Sequence, residues 1–103
     1  MRYVFDWDFG NSEKCRKHGV DLEEIEQALV ADPIVMGDLR HSLVEARFHA
    51  VGRAASGRAV FVVFTIRSRG TEDVIRPISA RYMHSKEVAL YEKAEAISRS
   101  GER

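Results

Sequence analysis

Ala59-Val-Phe-Val-Val-Phe-Thr-Ile66 is apolar almost throughout, with Phe61, Val62, Val63 and Phe64 standing consecutively. A short continuous run of this kind, β-branched and aromatic and bounded by turn formers, reads as a central strand of a sheet. Val62, Phe64 and Ile66 are therefore expected to lie beneath a cover of helices. Ala55-Ser56-Gly57 before the run is a hairpin turn, and Ser68 to Glu72 turns the chain again after it. Upstream, Glu45 to Arg53 alternates Arg47, His49, Val51 and Arg53 against Phe48, Ala50 and Gly52, which gives a strand with one polar, basic face. Downstream, Asp73 to Tyr82 forms the last strand.

The flanking segments change period. Tyr3-Val-Phe-Asp-Trp7 is aromatic and alternating, as a first strand would be, with Tyr3, Phe5 and Trp7 supplying core bulk before a Gly10-Asn11 turn. A short helix follows, capped by Asn11 or Ser12 and closed by Gly19 after Arg16-Lys17-His18. Asp21 then caps a second helix, with Glu24 three residues on and Val20 placed to pack on Ile25. Leu22, Ile25, Ala28 and Leu29 fall on one face of it, and it ends before Pro33. Ile34 to Met36 is a short strand and Gly37-Asp38 a turn. His84 or Ser85 caps a final helix whose apolar stripe is Leu90, Tyr91, Ala94 and Ile97. The order is β-α-α-β-β-β-β-α, an α+β fold with an antiparallel meander and its helices gathered on one face. Residues 1–103 are expected to form a single domain.

Composition narrows the function classes. A chain of 103 residues that is 45% hydrophobic and 31% charged suits one core rather than two. No run of 18 apolar residues occurs, and acidic Asp6 and Asp8 stand where a signal peptide would be basic, so a cytoplasmic protein with no membrane partner is expected. Cys15 is the only cysteine, and the 4 histidines lack the short paired spacings of zinc sites, so neither a metal nor another cofactor is expected. The formal net charge is zero, yet residues 1–46 carry 5 Lys/Arg against 10 Asp/Glu, while residues 47–103 carry 11 against 6. Either the basic half meets a polyanion or the two halves pair with one another.

Ile75-Arg-Pro-Ile-Ser-Ala-Arg-Tyr-Met-His84 carries two guanidiniums into a helix start, beside a phenol and an imidazole. Guanidiniums recognise phosphate by two-point hydrogen bonding, and the backbone N–H groups of a helix start favour the same anion. Nucleic-acid phosphate is the ligand this chemistry fits first.

Several blocks occur in order along the chain: Phe5-Asp-Trp-Asp, Lys17-His-Gly-Val, Asp38-Leu-Arg-His, Glu45-Ala-Arg47, Gly52-Arg53 and Ile75-Arg-Pro-Ile-Ser-Ala-Arg81, followed by Glu87 and Tyr91. From residue 3 to about 92 the chain resembles the BrnT family of bacterial toxins. The resemblance implies a RelE-like fold and a ribonuclease activity that arrests translation. It also implies a BrnA-type antitoxin with a ribbon-helix-helix domain, through which DNA is met only indirectly. The first helix departs from the commoner family pattern, being one residue shorter before Lys17-His18-Gly19 and carrying Cys15 where asparagine is frequent.

RNA cleavage without metal requires a base for the ribose 2′-hydroxyl, stabilisation of charge on phosphorus, and a proton for the leaving 5′ oxygen. Arg47 and Arg81 suit the second task. His84, at a helix start beside Tyr82, suits proton transfer or phosphate orientation, so Arg47, Arg81, Tyr82 and His84 are the candidate catalytic residues. Lys17, His18, Arg40, His41, His49, Arg53 and Arg76 are candidates for binding RNA. Arg76 and Arg81 are an odd number of residues apart and face opposite sides unless a bulge intervenes at Pro77; with only one of them in the site, Arg81 is favoured and Arg76 reads instead as a salt bridge to an acidic helix. Asp38 and Glu45 are candidates for orienting Arg40 or Arg47. Cys15 reads as a packing residue. Two functions stay open: an endoribonuclease toxin, and a non-catalytic RelE-like binding module acting in a DNA-binding repressor complex with the antitoxin.

Overall fold

The computed structural model describes residues 3–38 and 45–99. Helices α1 (Phe9–Arg16) and α2 (Leu22–Val30) precede strands β1 (Ile34–Asp38), β2 (Arg47–Arg53), β3 (Ala59–Arg69) and β4 (Glu72–Tyr82), and helix α3 (Ser85–Arg99) follows. The strands form one antiparallel sheet in the order β1-β2-β3-β4. The fold is α+β, as the patterning indicates.

The central run forms β3, whose alternate residues Val60, Val62 and Phe64 are buried. They join Ala50 from β2, Ala80 from β4, Cys15 from α1, and Ile25, Ala28 and Leu29 from α2 in one core. Phe48 stacks on Phe64 with ring centroids 5.4 Å apart. Ile66, expected in this row, is instead 47% exposed, because β3 runs on as a hairpin beyond the reach of α1 and α2. Gly52 brings β2 hard against α2: a Cβ there would sit 2.1 Å from the Ala28 carbonyl oxygen.

The local helix signals hold for α2. The Asp21 N–H donates to Glu24 Oε1 (3.3 Å), Val20 and Ile25 are both fully buried, and the helix stops at Val30. Gly19 closes the preceding segment at φ +86°. The start of α1 differs from expectation. Asp8, not Asn11 or Ser12, is its N-cap, with the Asn11 N–H donating to Asp8 Oδ1 (3.0 Å) and the Asp8 N–H to Asn11 Oδ1 (2.7 Å). Gly10 and Asn11 are thereby in the first helical turn rather than in a loop.

The early cap also removes the expected first strand. The segment at Tyr3–Trp7 makes a single parallel bridge, Phe5 to Ile75, with Asp6 N–H to Ile75 O (2.8 Å) and Ile75 N–H to Val4 O (2.9 Å), before the chain turns into α1. The observed order is therefore α-α-β-β-β-β-α. Phe5 and Trp7 pack on the core as expected, whereas Tyr3 is 46% exposed at the start of the segment. Gly37 and Asp38, expected as a turn, are the last residues of β1, paired with Phe48 and Arg47. A side-chain contact between Asp38 and His49 holds that end in register.

Two features set the positions of the arginines. Between Val63 and Phe64 the register of β3 with β4 shifts: Val63 pairs with Ser79 and Phe64 with Pro77, so Ile78 is the extra residue of a bulge. Arg76 then pairs with Thr65 and Arg81 with Phe61, four residues apart on β3, which restores both arginines to one side of the sheet. Second, α3 does not join α1 and α2. It lies over the opposite face, where Ile34, Val51, Phe61 and Tyr91 line a common groove. Polar contacts fix it there: Arg53 stands 5.2 Å from the Tyr91 ring centroid and pairs with Glu92 (3.3 Å) and Glu95 (3.2 Å).

Two substitutions test this core. Phe64→Ala removes a buried aromatic and is expected to cost about 3 to 5 kcal/mol. Gly52→Ala drives a methyl group into the α2 backbone and is expected to cost roughly 1 to 3 kcal/mol by overpacking. Denaturant titration of each purified protein measures both, and a wild-type midpoint for either variant overturns the packing described.

Candidate active site

A cleft of about 260 Å³ opens where the first turns of α1 meet the bulged part of β4 and the neighbouring ends of β2 and β3. Its register is set by the sheet, since Arg47, Thr65 and Arg76 form one row across β2, β3 and β4. Arg67 projects two residues beyond Thr65, Glu45 precedes β2, and Lys14 reaches in from α1. Four cationic side chains thus line the cleft against one carboxylate.

The carboxylates set the geometry of two of those cations. Glu45 accepts from Arg67 Nε (3.0 Å) and from its terminal nitrogen (3.4 Å), and these bonds hold the Glu45 carboxyl below the usual carboxylate range. Arg76, whose side chain is only 17% exposed, pairs with Asp8 (2.9 Å) and Asp6 (3.4 Å). The Asn11 N–H bond chiefly, and then Arg76, lowers the Asp8 carboxyl. Asp6 also pairs with Arg69 (2.8 Å). The salt-bridge role considered for Arg76 is therefore real, although its partners lie on the N-terminal segment and at the α1 cap. Glu45, expected to orient Arg40 or Arg47, pairs with Arg67.

Arg81 belongs to a different depression, the apolar groove of about 300 Å³ between α3 and the sheet. Its guanidinium makes a two-point pair with Glu87 (2.7 and 2.8 Å) and lies 4.8 Å from the Phe61 ring centroid. Glu87 also accepts the His84 N–H (2.9 Å), so His84 is the N-cap of α3 and Arg81 is tied to that cap. The Arg81 bonds chiefly, with the His84 N–H, push the Glu87 carboxyl down to about 2.

The expected convergence of Arg47 and Arg81 is not seen. Their row partners Thr65 and Phe61 lie about 13 Å apart along β3, at roughly 3.3 Å per residue, and the two arginines line separate depressions. Tyr82 points to the core face, its hydroxyl donating to Glu24 and its ring under Arg58 at 3.5 Å; the Glu24 bond raises its phenol. Arg53 fastens α3. Lys17 and His18 are exposed at the end of α1, away from the cleft lining. His49 Nε2 is 2.9 Å from Asp38 Oδ2. Arg40 and His41 lie outside the described residues. Of the candidate residues, then, Arg47 and Arg76 share the basic cleft.

Lys14 and Arg67 complete that cleft without having been singled out, beside Glu45, which was expected there only as a partner of Arg40 or Arg47. Arg67 could have been found from parity alone, since it follows Thr65 by two residues. Cys15 is fully buried, and burial raises its thiol to about 11, which suits a packing residue. Among the described residues no group of three His, Cys, Asp or Glu could hold a metal ion, and no helix is long and apolar enough to cross a membrane.

The row Arg47–Thr65–Arg76 sets two guanidiniums across the sheet of a small α+β protein, an arrangement whose chemistry suits a phosphodiester. The family described as "Ribonuclease toxin, BrnT, of type II toxin-antitoxin system" matches residues 7–87, and the chain belongs to that BrnT family. No curated protein matches it.

The Glu87 carboxyl gives a test in acid. Its folded-state value of about 2 lies below its ordinary 4.5, so its contribution to stability is present above about pH 4.5 and is lost as pH falls toward 2. Glu87→Gln is expected to melt lower than wild type near neutrality and to show a flatter dependence of melting temperature across that window. Parallel curves for the two proteins overturn the Arg81–Glu87–His84 linkage.

Proposed function

We propose that this chain is a cytoplasmic, single-domain, RelE-like endoribonuclease toxin that cleaves RNA without a metal ion, inhibits translation and is neutralised by a BrnA-type ribbon-helix-helix antitoxin. The observation that carries the reading is the clustering of Lys14, Arg47, Arg67 and Arg76 in one cleft of a ribonuclease-toxin family member.

Cleavage begins when a ribose 2′-oxygen attacks the adjacent phosphorus, and negative charge builds on the non-bridging oxygens. The planar forks of Arg47 and Arg76 suit two-point bonding to those oxygens, and Lys14 adds a point charge. This is stabilisation that fixed cations supply without reorganising as the charge forms. The Glu45–Arg67 pair holds the mouth of the cleft. Arg81, Tyr82 and His84 act in this reading by positioning β4 and α3, and Arg53 by fastening α3.

The non-catalytic alternative draws on one observation: carboxylates already occupy Arg67 and Arg76. If those pairs persist in the presence of RNA, the cleft is a structural network and the protein a binding module.

Growth and cleavage separate the two. Expression of the chain alone is expected to arrest growth, and co-expression of the neighbouring antitoxin gene to relieve it. The purified protein is expected to cleave RNA in the presence of EDTA. Arg47→Lys and Arg76→Lys keep the charge but lose the fork, and each is expected to lower cleavage by about tenfold or more. RNA affinity is expected to fall steeply with salt, as counterion release requires. A folded protein that binds RNA and neither cleaves it nor arrests growth establishes the binding module instead.

A further inference from the structure

Beside the basic cleft, the sheet carries a histidine–carboxylate pair. His49 stands two residues from Arg47 on β2, so the two side chains leave the same face of the strand, with Cα atoms about 7 Å apart. Asp38, at the end of β1, is the direct cross-strand neighbour of Arg47, and its Oδ2 is 2.9 Å from His49 Nε2. The Asp38 side chain is 8% exposed and that of His49 31%, so the pair has a buried anchor and a ring open to solvent. The other side of the ring meets the edge of Phe61, with centroids 5.1 Å apart. Val63 and Ser79 continue its row on β3 and β4. The charged groups facing the imidazole include Asp38 from β1 and Arg47 from its own strand, with the Arg81–Glu87 pair against the same Phe61 ring.

We propose that His49, held by Asp38, is the proton-transfer group of the cleavage reaction, acting on the ribose 2′-hydroxyl next to a phosphate gripped by Arg47. The inference rests on the ribonuclease reading above and adds to it the group that moves the proton.

The chemistry follows from the pair. Asp38 accepts the Nε2–H, which fixes the tautomer and leaves the Nδ1 lone pair as the base. Nδ1 takes the 2′-hydroxyl proton as O2′ bonds to phosphorus. The P–O5′ bond breaks, its electron pair leaves with O5′, and O5′ takes a proton from water. The hydroxide so formed is neutralised when the imidazolium returns its proton to solvent. The products are a 2′,3′-cyclic phosphate and a 5′-hydroxyl. The buried Asp38 carboxylate stabilises the imidazolium formed on the way, and Arg47, one pleat repeat along, holds the phosphate whose charge grows.

A pair that merely pinned β1 to β2 would affect melting alone, so the test reads chemistry. Single-turnover cleavage of a short RNA is measured for wild type, His49→Gln and His49→Ala, with RNA affinity measured in parallel. His49→Gln is expected to bind RNA within about twofold of wild type and to cleave about 100-fold or more slowly, with the acid limb of the pH–rate profile abolished. Added imidazole is expected to restore cleavage to His49→Ala. A folded His49→Gln protein that cleaves at the wild-type rate overturns the proposal, as does His49→Ala that imidazole fails to rescue. These results leave the ribonuclease reading standing if wild type cleaves. A wild-type protein that does not cleave overturns that reading and this inference with it.

Discussion

The side chain of Asn11 is the point on which the arrangement of the site depends. Its Oδ1 accepts from the Asp8 N–H, while its Nδ2 donates to the carbonyls of Asp6 and Pro77, each at 2.9 Å. One amide thus ties the start of α1, the N-terminal segment and the bulged stretch of β4. Buried amide groups are costly unless satisfied, so this position is strongly specified. The bulge it holds turns Arg76 to the side shared with Arg81 and into the row of Arg47. Without the bulge, Arg76 would face the core that Pro77 now enters, and the cleft would lose one wall.

The uneven charge of the sequence has its physical account in the same region. Asp6, Asp8 and Glu45, from the acid-rich half, pair with Arg69, Arg76 and Arg67 from the basic half. Most of these pairs are solvent-facing and contribute little stability individually. Their effect is on orientation, because each carboxylate aims a guanidinium along the cleft wall. The two explanations entertained for the charge split are therefore not exclusive. Internal pairing prearranges a basic surface, and under the proposed function an RNA phosphate would compete with Asp8 or Glu45 for those forks.

What was legible in the sequence was what local chemistry specifies. The apolar run at Ala59–Ile66, the Asp21–Glu24 cap, the staple of Val20 on Ile25, the Gly57 turn and the two-faced strand at β2 all depend on residues within one turn or one strand of each other. The misread elements depend on distant ones. Asp8 outcompetes Asn11 as a cap because Asn11 is engaged by Pro77, 66 residues away, and so the first strand shrinks to one bridge. The stripe on α3 reads as a core face, yet Leu90 and Ile97 are 68% and 71% exposed. Of that stripe only Tyr91 is buried, and Arg53 meets the helix there through Glu92, Glu95 and the Tyr91 ring. In the site, Arg47 and Arg76 were recognisable by residue type. Their meeting, and the separation of Arg81, followed from a one-residue register shift that no single stretch of sequence reveals.

The attachment of α3 differs in kind from that of α1 and α2. Those helices bury Cys15, Ile25, Ala28 and Leu29 in the common core, whereas α3 is held by Tyr91 and by guanidinium–carboxylate pairs at Arg53 and Arg81. Apolar burial supplies most of the stability of a packed helix, and exposed ion pairs supply much less. Local opening is therefore expected to begin at α3, which belongs to the low-stability end of the molecule. The basic cleft is insulated from such opening. Its lining comes from α1, β2, β3, β4 and Glu45, with no residue of α3, so the row of Arg47, Thr65 and Arg76 keeps its geometry whether or not the last helix is docked.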